Sequence, residues 1–270
     1  MDYELLVLDI DGTVTNSEKE VLDKTKDAVI RIQKQGVKVV LASGRPPEGI
    51  YPVAETLQLD QYDSYLLAFN GGKIIRIRTG ECIFERHLPA HIPKRLWEDA
   101  EEYGVGAAAY GKGVIWSRTR PDRYLRLESR ISRMPVECHE KLGTDGNLIV
   151  NQCILTGDPD ALDRIEPILY RRYFHEAEIY HSEPFYLEVS PKNVDKAYGL
   201  KYLLRILDIS RDKMVCCGDS FNDIRMLQYA GMGVAMKNAP EAVKMAANTV
   251  TKNDNDHNGI AEVIGLFFEH

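Results

Sequence analysis

Leu5-Leu6-Val7-Leu8-Asp9-Ile10-Asp11-Gly12-Thr13 decides how this chain is read. An apolar run delivers two carboxylates, two residues apart, into a glycine turn. Residues i and i+2 of a strand point to the same side, so both acids face one reaction centre where the strand ends. That arrangement suits a nucleophile beside a proton donor: Asp9 attacks an electrophile, while Asp11, kept partly protonated by its neighbour's charge and by burial, serves the leaving group. The competing reading is a solvated strand end that happens to carry two acids and a turn, and the rest of the chain argues against it.

Three further clusters fall where a repeated strand-loop-helix pattern puts them on the same edge of a parallel sheet. Val37 to Ala42 reads as a buried strand ending in Ser43-Gly44-Arg45-Pro46. Lys196 lies at the start of a helical pattern running from Val194 to Leu207, and Met214-Val215-Cys216-Cys217 is a short apolar strand ending in Gly218-Asp219-Ser220-Phe221-Asn222-Asp223. Ligands of open α/β sheets bind outside the carboxyl ends of the strands, so these loops can converge.

Taken in order, Asp9-Ile10-Asp11-Gly12-Thr13, Ser43-Gly44-Arg45, Lys196 and Gly218 to Asp223 resemble the four motifs of the haloacid dehalogenase superfamily. The long insertion between the second and third is similar to the Cof-type branch, which carries a large α/β cap. The resemblance implies an α/β fold, with a Rossmann-like parallel-sheet core (residues 1–83 plus 188–270) and an inserted cap (84–187) that closes over the core and selects the substrate.

It also implies a Mg²⁺-dependent phosphatase acting on a small phosphorylated metabolite, a sugar phosphate, through an aspartyl-phosphate intermediate. A phosphate ester repels an anionic nucleophile, so Asp9 needs a divalent cation to neutralise charge, and hard Mg²⁺ takes carboxylate oxygens. Asp219 is the natural second ligand; the family pattern adds the backbone carbonyl of Asp11 and places Asp223 in direct or water-mediated contact. Ser43 and Lys196 match the phosphate holders. Gly44, Arg45, Asn70, Gly71 and Asn222 complete the substrate-binding candidates, with Asn193 and Asn238 behind them. Arg45 contacts substrate or pairs with an acid; Asn222 donates near the metal or phosphate, or caps the following helix; Asn238 touches substrate or closes a turn. The usual Lys-Gly pair is here Lys196-Ala197, which leaves open how that helix approaches its neighbours. A phosphosugar mutase and a non-catalytic regulator that binds a phosphometabolite are the alternative readings.

Composition agrees with this class. The chain has 270 residues, of which 44% are hydrophobic, enough to fill real cores. A net charge of -7 and a pI near 5.6 argue against a nucleic-acid partner. No apolar run is long enough to span a bilayer, and Met1-Asp2-Tyr3-Glu4 lacks the signature of a secretory signal, so the expected setting is cytoplasmic, without a membrane partner, as a monomer or weak homo-oligomer. Five cysteines without a CxxC pair read as reduced thiols, and Cys216 and Cys217 as strand packing.

The periodicity predicts a helix over 21–32 stopped by Gly36, a strand over 65–69, and a hairpin of 73–78 and 81–85 around Thr79-Gly80. Within the insertion it predicts helices over 93–103 and 159–174 and strands over 114–116, 148–155 and 184–189. Beyond it come helices over 222–230, 240–247 and 259–268 and a strand over 233–236. Met226, Leu227, Phe267 and Phe268 are expected in the core.

Overall fold

The computed structural model describes residues 3–111, 113–142 and 148–269. The chain divides into two compact units, Met1–Phe84 with Asp195–His270, and Glu85–Val194.

The first unit opens with β1 (Leu5–Leu8), α1 (Asp23–Lys34), β2 (Lys38–Ala42), α2 (Pro47–Thr56), β3 (Tyr65–Ala68), β4 (Lys73–Arg76) and β5 (Glu81–Glu85). Every side chain of β1 is fully buried, as a central strand covered on both faces requires. Strand β1 pairs in parallel with β2, and β2 with β3; β4 then turns back antiparallel to β3. Helix α1 buries Thr25, Ala28, Val29 and Ile32, the spacing of one helical face.

The second unit contains α3 (His91–Tyr103), β6 (Gly106–Tyr110), β7 (Ile115–Ser117), α4 (Arg123–Ser132), β8 (Val136–Cys138), β9 (Cys153–Thr156), α5 (Pro159–Tyr173), β10 (Ala177–Glu183) and β11 (Tyr186–Pro191). Its sheet runs β10-β11-β9-β6-β7-β8. Alternation sorts the two faces: Ala107, Ala109, Cys153, Leu155, Leu187 and Val189 join one apolar cluster with Leu96 and Trp97 of α3 and Leu162, Ile165 and Leu169 of α5. Residues of opposite parity meet the α4 segment, where Tyr110 Oη donates to Glu128, Thr156 Oγ1 to Asp122, and Tyr186 Oη to the Tyr124 carbonyl.

Two expectations shift here. The strand placed at 148–155 begins only at Cys153: the Val150 carbonyl accepts from Leu88 N–H instead of joining the ladder, and beside it the Asn151 side-chain Nδ2 donates to the Arg86 carbonyl. The return to the first unit falls at Val194/Asp195 rather than 187/188, because β11 pairs along its length with β10 and with β9.

The first unit resumes with α6 (Lys196–Leu207), β12 (Met214–Gly218), α7 (Ile224–Tyr229), β13 (Met232–Ala235), α8 (Glu241–Ala246), β14 (Thr249–Val250) and α9 (Gly259–Phe267). Strand β12 pairs with β1 on the side opposite β2, giving the order β14-β13-β12-β1-β2-β3-β4-β5. Leu5, Val7, Val40, Leu67, Leu200, Leu203, Cys216, Met226 and Leu227 share one cluster. Phe267 and Phe268 are only half-buried and pack their rings on Tyr3. Among the described residues no helix is long and apolar enough to cross a membrane.

Candidate active site

Strands β1, β2 and β12 are adjacent and parallel, so their carboxyl ends open onto one edge, and the candidate residues occupy the loops there. Asp9 N–H still donates to the Cys217 carbonyl, which extends the ladder by one residue and fixes the backbone that carries the carboxylate. The chain then reverses sharply: the Ile10 carbonyl accepts from the N–H groups of Thr13, Val14 and Thr15 and from Thr15 Oγ1. Gly12 occupies this turn at φ +81°, and a Cβ there would lie 2.3 Å from Asp219 Oδ2. Only glycine satisfies both the backbone and the contact. The turn thus seats β1's loop against that of β12, and Thr13 Oγ1 donates to Asp219 Oδ1 at 2.8 Å.

Behind this turn lies a buried ion cluster. Lys196 is fully buried at the start of α6, and its Nζ donates at 2.6 Å to Asp9 Oδ1 and at 2.6 Å to Asp223 Oδ1. The other oxygen of Asp223 accepts from the N–H groups of Asp219 and Ser220. Ser220 and Asp223 form a capping box, so Ser220, not Asn222, is the cap of the helical segment that follows. Burial pushes the Asp9 carboxyl well above the usual carboxylate range; the charge of Asp223 adds to the rise, while Lys196 opposes it. Asp219 is also raised, mainly by burial, against the hydrogen bond from Thr13. For Lys196 burial favours the neutral amine, but the charges of Asp223 and Asp9 outweigh it and hold the ammonium form.

The acids fit a divalent cation. Carboxylate oxygens of Asp9, Asp219 and Asp223 lie within 4.8 Å of one another, and the three carry more negative charge than the single buried ammonium cancels. An all-oxygen, carboxylate-rich set suits a hard ion. Asp223 already accepts three donors, Lys196 Nζ and the N–H groups of Asp219 and Ser220, so Asp9 and Asp219 have more capacity left to hold it, with Asp223 behind them.

Asp11 stands apart from this cluster. Its Oδ2 accepts from Arg45 Nε at 2.8 Å, and its Oδ1 from Arg45 Nη2 at 2.6 Å and from Lys19 Nζ at 2.9 Å. Burial raises the carboxyl, but the hydrogen bonds and charge of Arg45, then those of Lys19, outweigh it and hold the pKa below the ordinary value. This corrects the expectation that Asp11 is the partly protonated acid: its side chain meets two cations, while burial and acidic neighbours raise Asp9 instead. The carboxylate of Asp11 also leaves only its backbone carbonyl to offer to a metal. Arg45 is thereby placed against an acid. Lys19 escaped the sequence reading; the polar turn Asn16-Ser17-Glu18-Lys19-Glu20 was its only signal.

The remaining candidates form a rim. Ser43 is buried; its Oγ accepts from Arg45 N–H and its carbonyl from Asn70 N–H. Gly44 leaves room for the Asn70 amide, 3.2 Å from where a Cβ would sit, and Asn70 Oδ1 accepts from Asn222 Nδ2 at 3.0 Å. Gly71, at φ +97°, would place a Cβ 2.3 Å from the Asp195 carbonyl, and a Cβ on Gly199 would lie 2.9 Å from the Gly71 Cα. The close approach of α6 is therefore made by Gly71 and Gly199, and Ala197 is accommodated as a buried residue. Asn238, expected to touch substrate or close a turn, instead ties its loop to the glycine turn: Nδ2 donates to the Gly12 carbonyl at 2.8 Å and lies 3.5 Å from Asp219 Oδ2. Asn193 belongs to the second unit, where its N–H meets Glu178.

A family model described as haloacid dehalogenase-like hydrolase matches residues 6–264. A solved haloacid dehalogenase-like hydrolase from Bacteroides thetaiotaomicron is similar with a TM-score of 0.94 at 38% identity, covering 99% of this chain and 100% of its own. The 5-amino-6-(5-phospho-D-ribitylamino)uracil phosphatase YcsE of Bacillus subtilis is 29% identical, covering 98% of this chain and 95% of its own. The structure of BT4131, described as a HAD subclass IIB sugar phosphatase, is similar at 25% identity with a TM-score of 0.81, covering 99% of this chain and 100% of its own.

Proposed function

Because the chain belongs to the haloacid dehalogenase-like hydrolase family, we propose that it is a Mg²⁺-dependent phosphatase that hydrolyses a small sugar phosphate through a phosphoryl group carried on Asp9. The observation that carries this reading is the buried bridge from Lys196 to Asp9 and Asp223 beside Asp219. A carboxylate that must attack an anion needs cationic groups arranged in advance around the phosphoryl oxygens, and this cluster supplies the ammonium and the acids for a metal.

Asp9 and Asp219 would hold the cation, which supplies neutralising charge and orientation to the phosphoryl group. Asp9 attacks phosphorus, the ester oxygen leaves, and the phosphoryl group becomes bonded to Asp9. Lys196, already fixed on Asp9, points its charge at the oxygens that become more negative in the transition state. Ser43 offers a hydroxyl from the adjacent loop. Asp11, after taking a proton from solvent, gives it to the departing alkoxide, and takes one back from the water that cleaves the aspartyl phosphate. Its resting carboxylate form suits the second of these roles directly. The reading of the substrate as a sugar phosphate is supported by the similarity to a structure described as a sugar phosphatase.

The test is phosphate release from a panel of sugar phosphates and from nitrophenyl phosphate, with Mg²⁺ and with EDTA. Parent protein should turn over members of the panel only with the metal, and acid-quenched samples should show one phosphoryl group on the peptide containing Asp9. Asp9→Asn, checked for folding by circular dichroism and for deamidation by mass spectrometry, should lose both signals. More than a few per cent of parental turnover in that variant would remove Asp9 as nucleophile.

A further inference from the structure

We propose that one face of the second unit's sheet carries a binding site for the hydroxyl groups of a neutral sugar or polyol, with Gln152 and Ser190 as its direct contacts and Glu188 as the group that turns anions away. The site lies wholly within the second unit and stands independently of the phosphatase reading.

The observation that points to a ligand is a pair of buried polar atoms without partners. Gln152 is 1% exposed and Ser190 3%, yet neither Gln152 Oε1 nor Ser190 Oγ has a hydrogen-bond partner. Leaving such groups unpaired in an interior is costly, and folded chains rarely tolerate it without a use for them. The strand pairing brings the two together. Glu188 faces Ile154 and Val189 faces Cys153 along β11 and β9, so the next step of the same register sets Ser190 beside Gln152. On the other side β6 pairs Ala109 with Cys153, which carries Tyr110 toward Gln152 as well. Val189, Cys153 and Ala109 belong to the apolar cluster with α3 and α5. Alternation therefore puts Ser190, Gln152, Tyr110 and Glu188 on the opposite face.

The chemistry of that face selects the ligand. Its carboxylates already have donors: Tyr110 Oη donates to Glu128 at 2.9 Å and Tyr180 Oη to Glu188 at 3.3 Å. What lacks a partner is an amide oxygen and a hydroxyl, both uncharged, so the deficit is one of hydrogen bonds and not of charge. A hydroxyl group, which donates and accepts through one atom, answers both, and neighbouring hydroxyls on a carbon chain or ring come in such pairs. Tyr110 and Tyr180 add ring faces on which C–H groups pack. Among the described residues no cation pairs with Glu188, and Lys192, two residues beyond Ser190, is bonded to Glu178 at 3.1 Å. An anionic group would meet the Glu188 carboxylate with no charge to offset it.

The experiment titrates glucitol, ribitol, glucose and ribose, and the anion gluconate, into the full chain, followed by saturation-transfer NMR, and repeats this on Gln152→Met, Ser190→Ala and Glu188→Gln. The parent should bind at least one neutral compound saturably, and gluconate about 10-fold or more weakly than that compound. Gln152→Met and Ser190→Ala should each weaken neutral binding by about 3- to 10-fold, the scale of one hydrogen bond between uncharged groups. Neither should melt below the parent, because each removes an atom that has no partner to lose. Glu188→Gln should narrow the gap between gluconate and the neutral compound. No saturable binding of any neutral compound, gluconate bound as tightly as the best of them, or unchanged affinity in both Gln152→Met and Ser190→Ala would overturn the proposal. Variants that melt several degrees lower and bind like the parent would overturn it too, by making the two side chains structural. Turnover then identifies the source of the sugar. If the variants raise KM for a neutral sugar phosphate in step with Kd and leave nitrophenyl phosphate unchanged, the site takes the sugar portion of the substrate; if KM is unchanged while sugar binding is weakened, it takes a free sugar. A parent that releases no phosphate from any ester would overturn the phosphatase reading and leave the binding result standing.

Discussion

Replacing Lys196 by Met should destabilise the first unit strongly and make its stability depend on a divalent cation. Methionine keeps an unbranched side chain of comparable reach but removes an ammonium that is fully buried and bonded at 2.6 Å to both Asp9 and Asp223. Deleting one partner of a buried ion pair costs about 3–5 kcal/mol, because the charges left behind are neither solvated nor matched. Asp223 keeps its two backbone donors, so the cost falls mainly on Asp9. At about 2–4 °C per kcal/mol for a chain of this size, the unfolding transition of the first unit should drop by about 6–20 °C in EDTA. Saturating Mg²⁺ should then stabilise the variant more than the parent, since the cation no longer shares the acids with an ammonium; a hundredfold excess over Kd is worth about 2.7 kcal/mol. Scanning calorimetry of both proteins in EDTA and in Mg²⁺ measures this. A transition within about 2 °C of the parent in EDTA would mean that the acids are neutralised by protons rather than by Lys196, and the ion-pair argument would be wrong.

Two other outcomes are expected. Gly12→Ala should abolish cation-dependent stabilisation and activity while leaving a folded protein, because the new methyl carbon falls 2.3 Å from Asp219 Oδ2 at a φ of +81°; wild-type affinity for the metal by calorimetric titration would refute it. Glu188→Gln should stabilise the second unit increasingly above about pH 4.5, and fully above about pH 7. Burial lifts the Glu188 carboxyl to about 7 from 4.5, with the charge of Glu128 adding and the hydrogen bond from Ser182 opposing. The folded form thus holds this proton more tightly than the unfolded one, so the parent loses stability as pH rises from about 4.5 and the loss is complete above about 7. The gain from glutamine is bounded by about 3 kcal/mol, at about 1.36 kcal/mol per pH unit, and should vanish near pH 4 in urea melts. A gain that is the same at pH 4 and pH 8 would refute the assignment.

The strand ends were legible because a parallel strand covered on both faces must be an unbroken apolar run, and the run stops where the loop begins; Leu5–Leu8 and Met214–Gly218 both behave so. The same logic could not fix how side chains meet across the edge. Arg45 and Lys19 reach Asp11 from 34 and 8 residues away, and only the folded geometry decides that they find this acid rather than the phosphate site. Asn222, expected to donate near the metal or phosphate or else to cap the following helix, does not take the second role, because Ser220 pairs reciprocally with Asp223 there. The second unit's boundary was misjudged because 184–189 has the composition of a strand of either sheet, and pairing partners are not written in the strand itself. The usual glycine after Lys196 is not needed for the close approach of α6, which Gly71 and Gly199 make instead.

The Asp223 carboxylate has one oxygen on Lys196 and the other on the amides that begin a helical turn. One side chain therefore closes a circuit between the start of a secondary-structure element and the electrostatics of the reaction centre. Fraying of that first turn moves the carboxylate that also holds the ammonium, so the two are coupled through one side chain. Local fraying, the cheapest motion available to most helix termini, is thereby charged with the full cost of dismantling the ion cluster. The reactive edge of the sheet inherits the rigidity of the core although it is built from loops.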